Sequence, residues 1–315
     1  MDLTRALLST PLDPSPIEHV AAWWPRHLAI AGRAENTFER AVRSGLEADR
    51  LAWAFASGYR HALDRLVPGL PLESMAALAV TEEAGNTPKA IATRLVIEGD
   101  RARVTGDKRW TTLGPHATEI LVVARVDPPE APRPMLRVVR VPAGAKGLVI
   151  TTMPDTPFVP EIPHASLSLR DVEVSIDAVL LGDGYDRYVK PFRTIEDVHV
   201  FGAALGHAIR ELRLRSEGAS DREAMHRTIE LALATIASLT SIAEMPAEEP
   251  STHVALAGAI TLGKDVFARL DAAIATADDE RAVRLRRDRT LLSIAGAARG
   301  KRLERAWSEL GPAST

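Results

Sequence analysis

The sequence predicts an α+β multidomain chain: N-terminal helices, a central β-barrel-like domain and a C-terminal four-helix bundle. Two observations carry this. Helical spacing of apolar residues gives way near Leu78 to short β-branched runs separated by Pro and Gly, and helical spacing returns after Gly184 and holds to the end. The expected boundaries are 1–75, 76–185 and 186–315. At 315 residues and 46% hydrophobic content the chain can bury a sizeable core.

In the first part, Phe38, Val42, Leu46, Leu51, Ala54 and Phe55 recur at three- and four-residue steps, and Pro68-Gly69 stops the pattern. Trp23 and Trp24 read as core or interface aromatics rather than a ligand box. In the second part, Ala92–Ile97 and Arg101–Thr105 flank the turn Glu98-Gly99-Asp100. Ile120–Val126, Leu136–Val141 and Leu148–Thr152 are further strands, and Leu167 and Leu169 alternate with Ser166 and Ser168 as a half-buried strand does. The third part reads as four helices. They run from Phe192 to Arg215, from an Asp221 cap to Glu244, from a Ser251 or Thr252 cap to Thr276, and from Asp279 to Leu310.

Composition and missing motifs exclude much. The net charge of -3 gives no basic field for nucleic acid, and the run Arg284–Arg289 reads as a solvated helix face. With no cysteine there is no disulfide, thiolate metal site or Cys nucleophile. Neither a secretory signal nor a bilayer-length apolar run is visible, so a soluble cytoplasmic protein is expected. Gly-x-Gly-x-x-Gly, phosphate-loop, Gly-x-Ser-x-Gly and His-Glu-x-x-His motifs are all missing.

Three stretches resemble the acyl-CoA dehydrogenase family. Leu78-Ala79-Val80-Thr81-Glu82-Glu83-Ala84-Gly85-Asn86-Thr87 is similar to the family's Thr-Glu-Pro-x-Ala-Gly-Ser-Asp stretch, one residue shorter and with Glu83 in place of Pro. Gly106-Asp107-Lys108-Arg109-Trp110-Thr111-Thr112 resembles Gly-x-Lys-x-Trp-Ile-Thr. Asp171-Val172-Glu173-Val174 followed by Leu180-Leu181-Gly182-Asp183-Gly184 is similar to the segment that ends the family's β domain. The resemblance implies a flavin, FAD, held on the β domain. Leu78, Val80 and Thr81 match positions that bind the pyrimidine edge, Trp110 the aromatic that covers one ring face, and Thr112 the hydroxyl near N5. It further implies an acyl-CoA or acyl-carrier thioester as substrate, an electron-transfer partner and a homo-oligomer.

The chemistry needs a carboxylate to take the α proton. The usual late Glu before Gly-Thr is absent. Ile195-Glu196-Asp197 followed by Leu205-Gly206 instead resembles the isovaleryl-CoA dehydrogenase branch, which puts Glu196 at the base position. Glu196-x-x-His199 and Glu223-x-x-His226 also have the spacing of a di-iron pair, without a clear partner Glu pattern. His207 reads as a satisfied helix histidine. The chain is shorter than a typical member at both ends and lacks the Arg-x-x-Phe-Gly and Gln-x-x-Gly-Gly-x-Gly segments, so fewer contacts to the dinucleotide are expected. A non-catalytic relative serving in binding or assembly, and a flavin-dependent monooxygenase, are the alternatives within the same fold.

Overall fold

The computed structural model describes residues 2–32, 36–127, 134–217 and 221–311. The chain forms two compact units. One comprises Met1–Arg65, Pro157–Val159 and Thr194–Thr315, and the other Leu66–Thr156 and Pro160–Arg193.

The first unit is helical: α1 (Leu3–Ser9), α2 (Val20–Ala31), α3 (Thr37–Glu47), α4 (Leu51–Leu66), α5 (Lys190–Ser216, of which 194–216 belong here), α6 (Arg222–Ala243), α7 (Pro250–Ala273), α8 (Glu280–Asp288) and α9 (Gly296–Leu310). Local chemistry explains several ends. The Asn36 side chain accepts the Glu39 N–H at 2.8 Å and caps α3. Asp279 caps α8 by accepting the Ala282 N–H and also takes both ends of the Arg215 guanidinium, which fixes α8 against the end of α5. Asp221 stands at the N-cap of α6 as expected, but without a side-chain cap bond.

Three helical features differ from the sequence expectation. α1 was not anticipated; Asp2 caps it, and only Ala6 and Leu7 turn inward. α7 starts earlier than a Ser251 or Thr252 cap allows, with Pro250 in its first turn, where the missing N–H costs nothing. The expected last helix is broken by a 3-10 turn at Arg289–Ser293. Asp288 explains the break: it is fully buried, accepts the Val159 N–H at 2.8 Å and pairs with Arg287.

The second unit is a curled seven-stranded sheet: β1 (Ala76–Ala79), β2 (Arg94–Glu98), β3 (Arg101–Thr112), β4 (Glu119–Val126), β5 (Leu136–Pro142), β6 (Leu148–Thr152) and β7 (His164–Ser175). The order is β1-β4-β2-β3-β7-β6, with β5 paired to β4. Glu98↔Arg101 closes the expected hairpin, and Gly99 supplies the positive φ its turn requires. The core gathers alternate residues of many strands, among them Leu95, Val104, Ile120, Val122, Val139, Val141, Leu167, Leu169 and Val172. The β3–β7 ladder slips twice, between Val104 and Gly106 and between Lys108 and Thr111. The second slip builds the candidate site.

Candidate functional site

Leu78 ends inside β1, buried and paired with Leu121 of β4. Val80, Thr81 and Glu82 follow as the chain leaves the strand. Glu82 and Gly85 exchange both backbone hydrogen bonds at 3.0 Å, a tight turn that Gly85 permits at φ +115°. The Glu82 side chain turns inward and accepts the N–H groups of Ala92 (2.7 Å) and Thr93 (3.0 Å), the Thr93 hydroxyl (2.7 Å) and the Lys108 ammonium (2.7 Å). Lys108 is buried and gives a second bond to the Val80 carbonyl at 3.2 Å. Arg109 N–H meets the Thr81 carbonyl at 2.9 Å. The first and second motifs are thereby one rigid piece.

The electrostatics of this joint follow from burial. Four donors hold the Glu82 carboxyl below its ordinary value in spite of desolvation. Burial pulls the Lys108 ammonium down to about 8, with Glu82 pulling the other way, so the pair remains charged at neutral pH.

Directly after Lys108 the strand bulges. Trp110 sits at φ +60° and Leu113 at φ +59°, uncommon for non-glycine residues. A bulge re-aims a side chain, and Trp110 is 46% exposed, with its own N–H turned to the Met153 sulfur at 3.4 Å. His164 meets its ring edge-on at a centroid distance of 6.0 Å, and the Arg109 guanidinium stands 5.7 Å from the ring centroid. Thr112, opposite His164 in the ladder, is half-buried, whereas Thr111 between them is buried.

Glu196 lies on α5 in the helical unit. It is partly buried and, among the described residues, has no hydrogen-bond or ion-pair partner. Burial pushes its carboxyl up to about 8; the neighbouring Asp197 charge adds to the shift and Arg302 opposes it. Asp197 is anchored by Arg299 at 2.8 Å and by Arg302. His199 is spoken for: one ring nitrogen is 2.9 Å from the Thr37 hydroxyl and the other 2.8 Å from the Ile195 carbonyl. Burial holds it down at about 4. Glu223 is exposed and pairs with Arg227 one turn on. His199 and Glu223 are thus each engaged within the chain, and no group of three or more potential metal-ligating side chains occurs among the described residues. His207 is buried with its ring 3.0 Å from the Ala48 carbonyl, the satisfied histidine expected.

Residues 77–172 match the sequence profile described as "Acyl-CoA dehydrogenase, middle domain". The central segment is similar to the acyl-CoA dehydrogenase middle domain. No curated protein matches the chain by sequence. Solved structures with the same fold include butyryl-CoA dehydrogenase from Megasphaera elsdenii (TM-score 0.75, 15% identity, 97% of this chain and 96% of that one). FkbI, for biosynthesis of the methoxymalonyl extender unit of a polyketide immunosuppressant, superposes with TM-score 0.72 at 19% identity over 98% of each chain. The prolyl acyl carrier protein oxidase AnaB gives 0.70 at 16% identity over 99% of this chain and 94% of that one. The chain thus has the acyl-CoA dehydrogenase fold, with the helix–sheet–helix order the sequence predicts.

Within the middle domain, the Glu82–Lys108 joint and the Arg109–Thr81 bond tie Val80 and Thr81 to β3, the strand that also carries Trp110 and Thr112. Glu196 belongs to the other unit. Glu82 and Lys108 carry no role that the sequence alone assigns, although both lie inside the motifs that resemble the family. Their signal is a charged residue at a position where the surrounding pattern is turning inward, once on each of two neighbouring segments.

Among the described residues no helix is long and apolar enough to cross a membrane.

Proposed function

We propose that the protein is a flavin-dependent oxidoreductase acting on an acyl thioester, carried on CoA or on an acyl carrier protein, with Glu196 as the base. The observation that carries this is Glu196 itself: a partly buried carboxylate without a hydrogen-bond or ion-pair partner among the described residues, raised to about 8. Structural ion pairs are not built this way, and a poised carboxylate is what α-proton removal requires. Two of the proteins that share the fold are a butyryl-CoA dehydrogenase and a prolyl acyl carrier protein oxidase, which supports the thioester class.

The middle domain fits a planar aromatic cofactor such as FAD. The bulge presents the Trp110 ring outward, the Glu82–Lys108 joint keeps Val80 and Thr81 in fixed register with β3, and Thr81 and Thr112 offer half-buried hydroxyls. Leu78, Val80 and Thr81 would hold the ring's polar edge, Trp110 would stack on its face and Thr112 would donate a hydrogen bond to it. A bound flavin would supply the acceptor for the two electrons that leave with the β hydrogen. The chain's own part is proton removal. The Glu196 carboxylate takes the α proton, the Cα electron pair forms the new double bond as the β hydride departs, and Glu196 ends protonated. A carboxyl at about 8 is a stronger base than an ordinary Glu but is ionised only in part at neutral pH.

The test is the visible spectrum of the protein as purified and after mixing with FAD and desalting, followed by anaerobic addition of acyl-CoA. Retained flavin that bleaches, at a rate rising through about pH 8, is the expected result. Glu196→Gln should keep the flavin and slow bleaching by about a hundredfold or more. Protein colourless in both samples would overturn the reading in favour of a binding or assembly role. Oxygen consumption by the reduced flavin without thioester oxidation would make it a monooxygenase.

A further inference from the structure

At Trp110 the β3–β7 ladder takes up one extra residue. Lys108 pairs with Leu167 and Thr111 with Ala165, so Arg109 and Trp110 together face Ser166 alone. Regular pairing is lost there, and Trp110 takes a positive φ that bulky side chains avoid. Such a conformation persists only where its surroundings hold it. Two side chains of the same unit do so. The Met153 sulfur accepts the Trp110 N–H at 3.4 Å, in place of the ladder acceptor that the bulge removes. The His164 ring meets the Trp110 ring edge-on, with centroids 6.0 Å apart and planes at 74°. Met153 and His164 are themselves joined, because the Met153 N–H donates to the His164 carbonyl at 2.8 Å. His164 is fixed opposite Thr112 in the ladder, and the Pro163 carbonyl beside it accepts the Leu113 N–H at 2.8 Å. Main-chain bonds thus anchor both groups, while the indole they meet is 46% exposed.

We propose that His164 is a positioning residue that sets the plane in which the Trp110 ring is offered to the cofactor. This rests on the reading of the middle domain as a flavin site, but the state of the ring is measurable with no flavin present. Met153 holds the backbone of the bulge, and His164 holds the ring. An edge-to-face contact sets the positive rim of one ring against the negative face of the other and so favours one angle, as an aliphatic neighbour would not. An indole already fixed in its bound orientation loses less freedom when a planar group stacks on it, so its ordering shows in affinity.

The experiment is fluorine NMR of the whole protein labelled with fluorotryptophan. The chain has five tryptophans, and Trp110→Phe identifies the Trp110 signal. In the wild type that signal should lie apart from its position in the unfolded protein; a signal already at the unfolded position overturns the proposal without any variant. In His164→Ala it should move toward the unfolded position and narrow, as a freely turning indole does. In His164→Phe, which keeps an aromatic ring in place, it should stay close to wild type. FAD affinity, read by fluorescence titration, should fall about tenfold in His164→Ala and return to within about twofold of wild type in His164→Phe. Circular dichroism shows whether each variant folds, and His164→Gln replaces His164→Ala if that variant does not. A Trp110 signal that stays in place in the folded variant overturns the proposal, as does one that moves while FAD binds as in wild type. If the signal moves as stated and the wild type binds no FAD, the ordering of Trp110 by His164 stands and the flavin reading falls.

Discussion

Thr111 is fully buried between Trp110 and Thr112, and its hydroxyl has no hydrogen-bond partner among the described residues. A buried hydroxyl that has left water and found nothing in exchange costs about 1–3 kcal/mol. Thr111→Val keeps the shape and removes that cost. It should raise stability by about 1 kcal/mol in urea unfolding, and a loss of stability would show that the hydroxyl is bonded after all. The contrast with Glu82 is instructive. Four donors satisfy that carboxylate, and breaking a buried pair such as Glu82–Lys108 from one side costs about 3–5 kcal/mol because the other charge is stranded. At this scale the sequence was legible by type and not by partner. Trp110 and Thr112 stand out inside their motif. The Glu82–Lys108 bond, however, joins residues 26 positions apart across a register that includes a bulge, and no local pattern encodes that slip. Glu196 was legible only through the resemblance. Its raised pKa comes from burial and the neighbouring Asp197, with Arg302, about a hundred residues further on, opposing the shift.

At the scale of elements, the glycines of α5 explain why the Leu205-Gly206 match carries more packing than chemistry. A Cβ at Gly206 would lie 2.2 Å from the Val42 carbonyl oxygen, and one at Gly45 of α3 would lie 1.9 Å from the Ala203 carbonyl oxygen. A Cβ at Gly202 would meet the Phe38 ring at 2.5 Å. The backbones of α3 and α5 approach so closely that side chains are excluded on both helices. Gly206→Ala should therefore cost about 3 kcal/mol, since rigid backbone has to shift. Gly258, exposed in α7 with nothing within 4 Å, is the control: there alanine should add about 0.5–1 kcal/mol through helix propensity and a less disordered unfolded chain. Equal effects at the two positions would sink the close-packing account. Strand runs, the Glu98-Gly99-Asp100 hairpin and the long helices could be read from periodicity and turn residues because their causes are local. The interruption at Arg289–Ser293 could not, because Asp288 is drawn inward by the Val159 N–H, 129 positions away in the chain.

At the scale of the molecule, the helical unit concentrates buried histidines: His27, His61, His199 and His207. The His27 and His61 rings stack 4.4 Å apart, and Ser57, hydrogen-bonded to the Trp23 indole, also meets His27. Burial lowers all four below their ordinary value; His61 further lowers His27, and His199 further lowers His61. The unfolded chain takes up protons near pH 6.5 that the folded unit refuses. Stability is therefore fully present above pH 6.5 and falls as pH drops toward the folded values. Glu196 works against this. Its folded value of about 8 lies above the unfolded 4.5, so the folded protein holds an extra proton between those limits and gains stability as pH falls through them. Four lowered histidines against one raised glutamate make the net effect a loss of stability as the pH falls below about 6.5. Urea unfolding at pH values from 7.5 to 5, a range set by the histidine reference value of about 6.5, checks it. His27→Gln should flatten the slope by about one proton, and Glu196→Gln should steepen it by about one, whether or not either variant turns over substrate. A wild-type slope near zero would mean that the histidines are not held neutral. A Glu196→Gln slope equal to wild type would mean that Glu196 is an ordinary solvated carboxylate, and the case for it as the base would fall with that result.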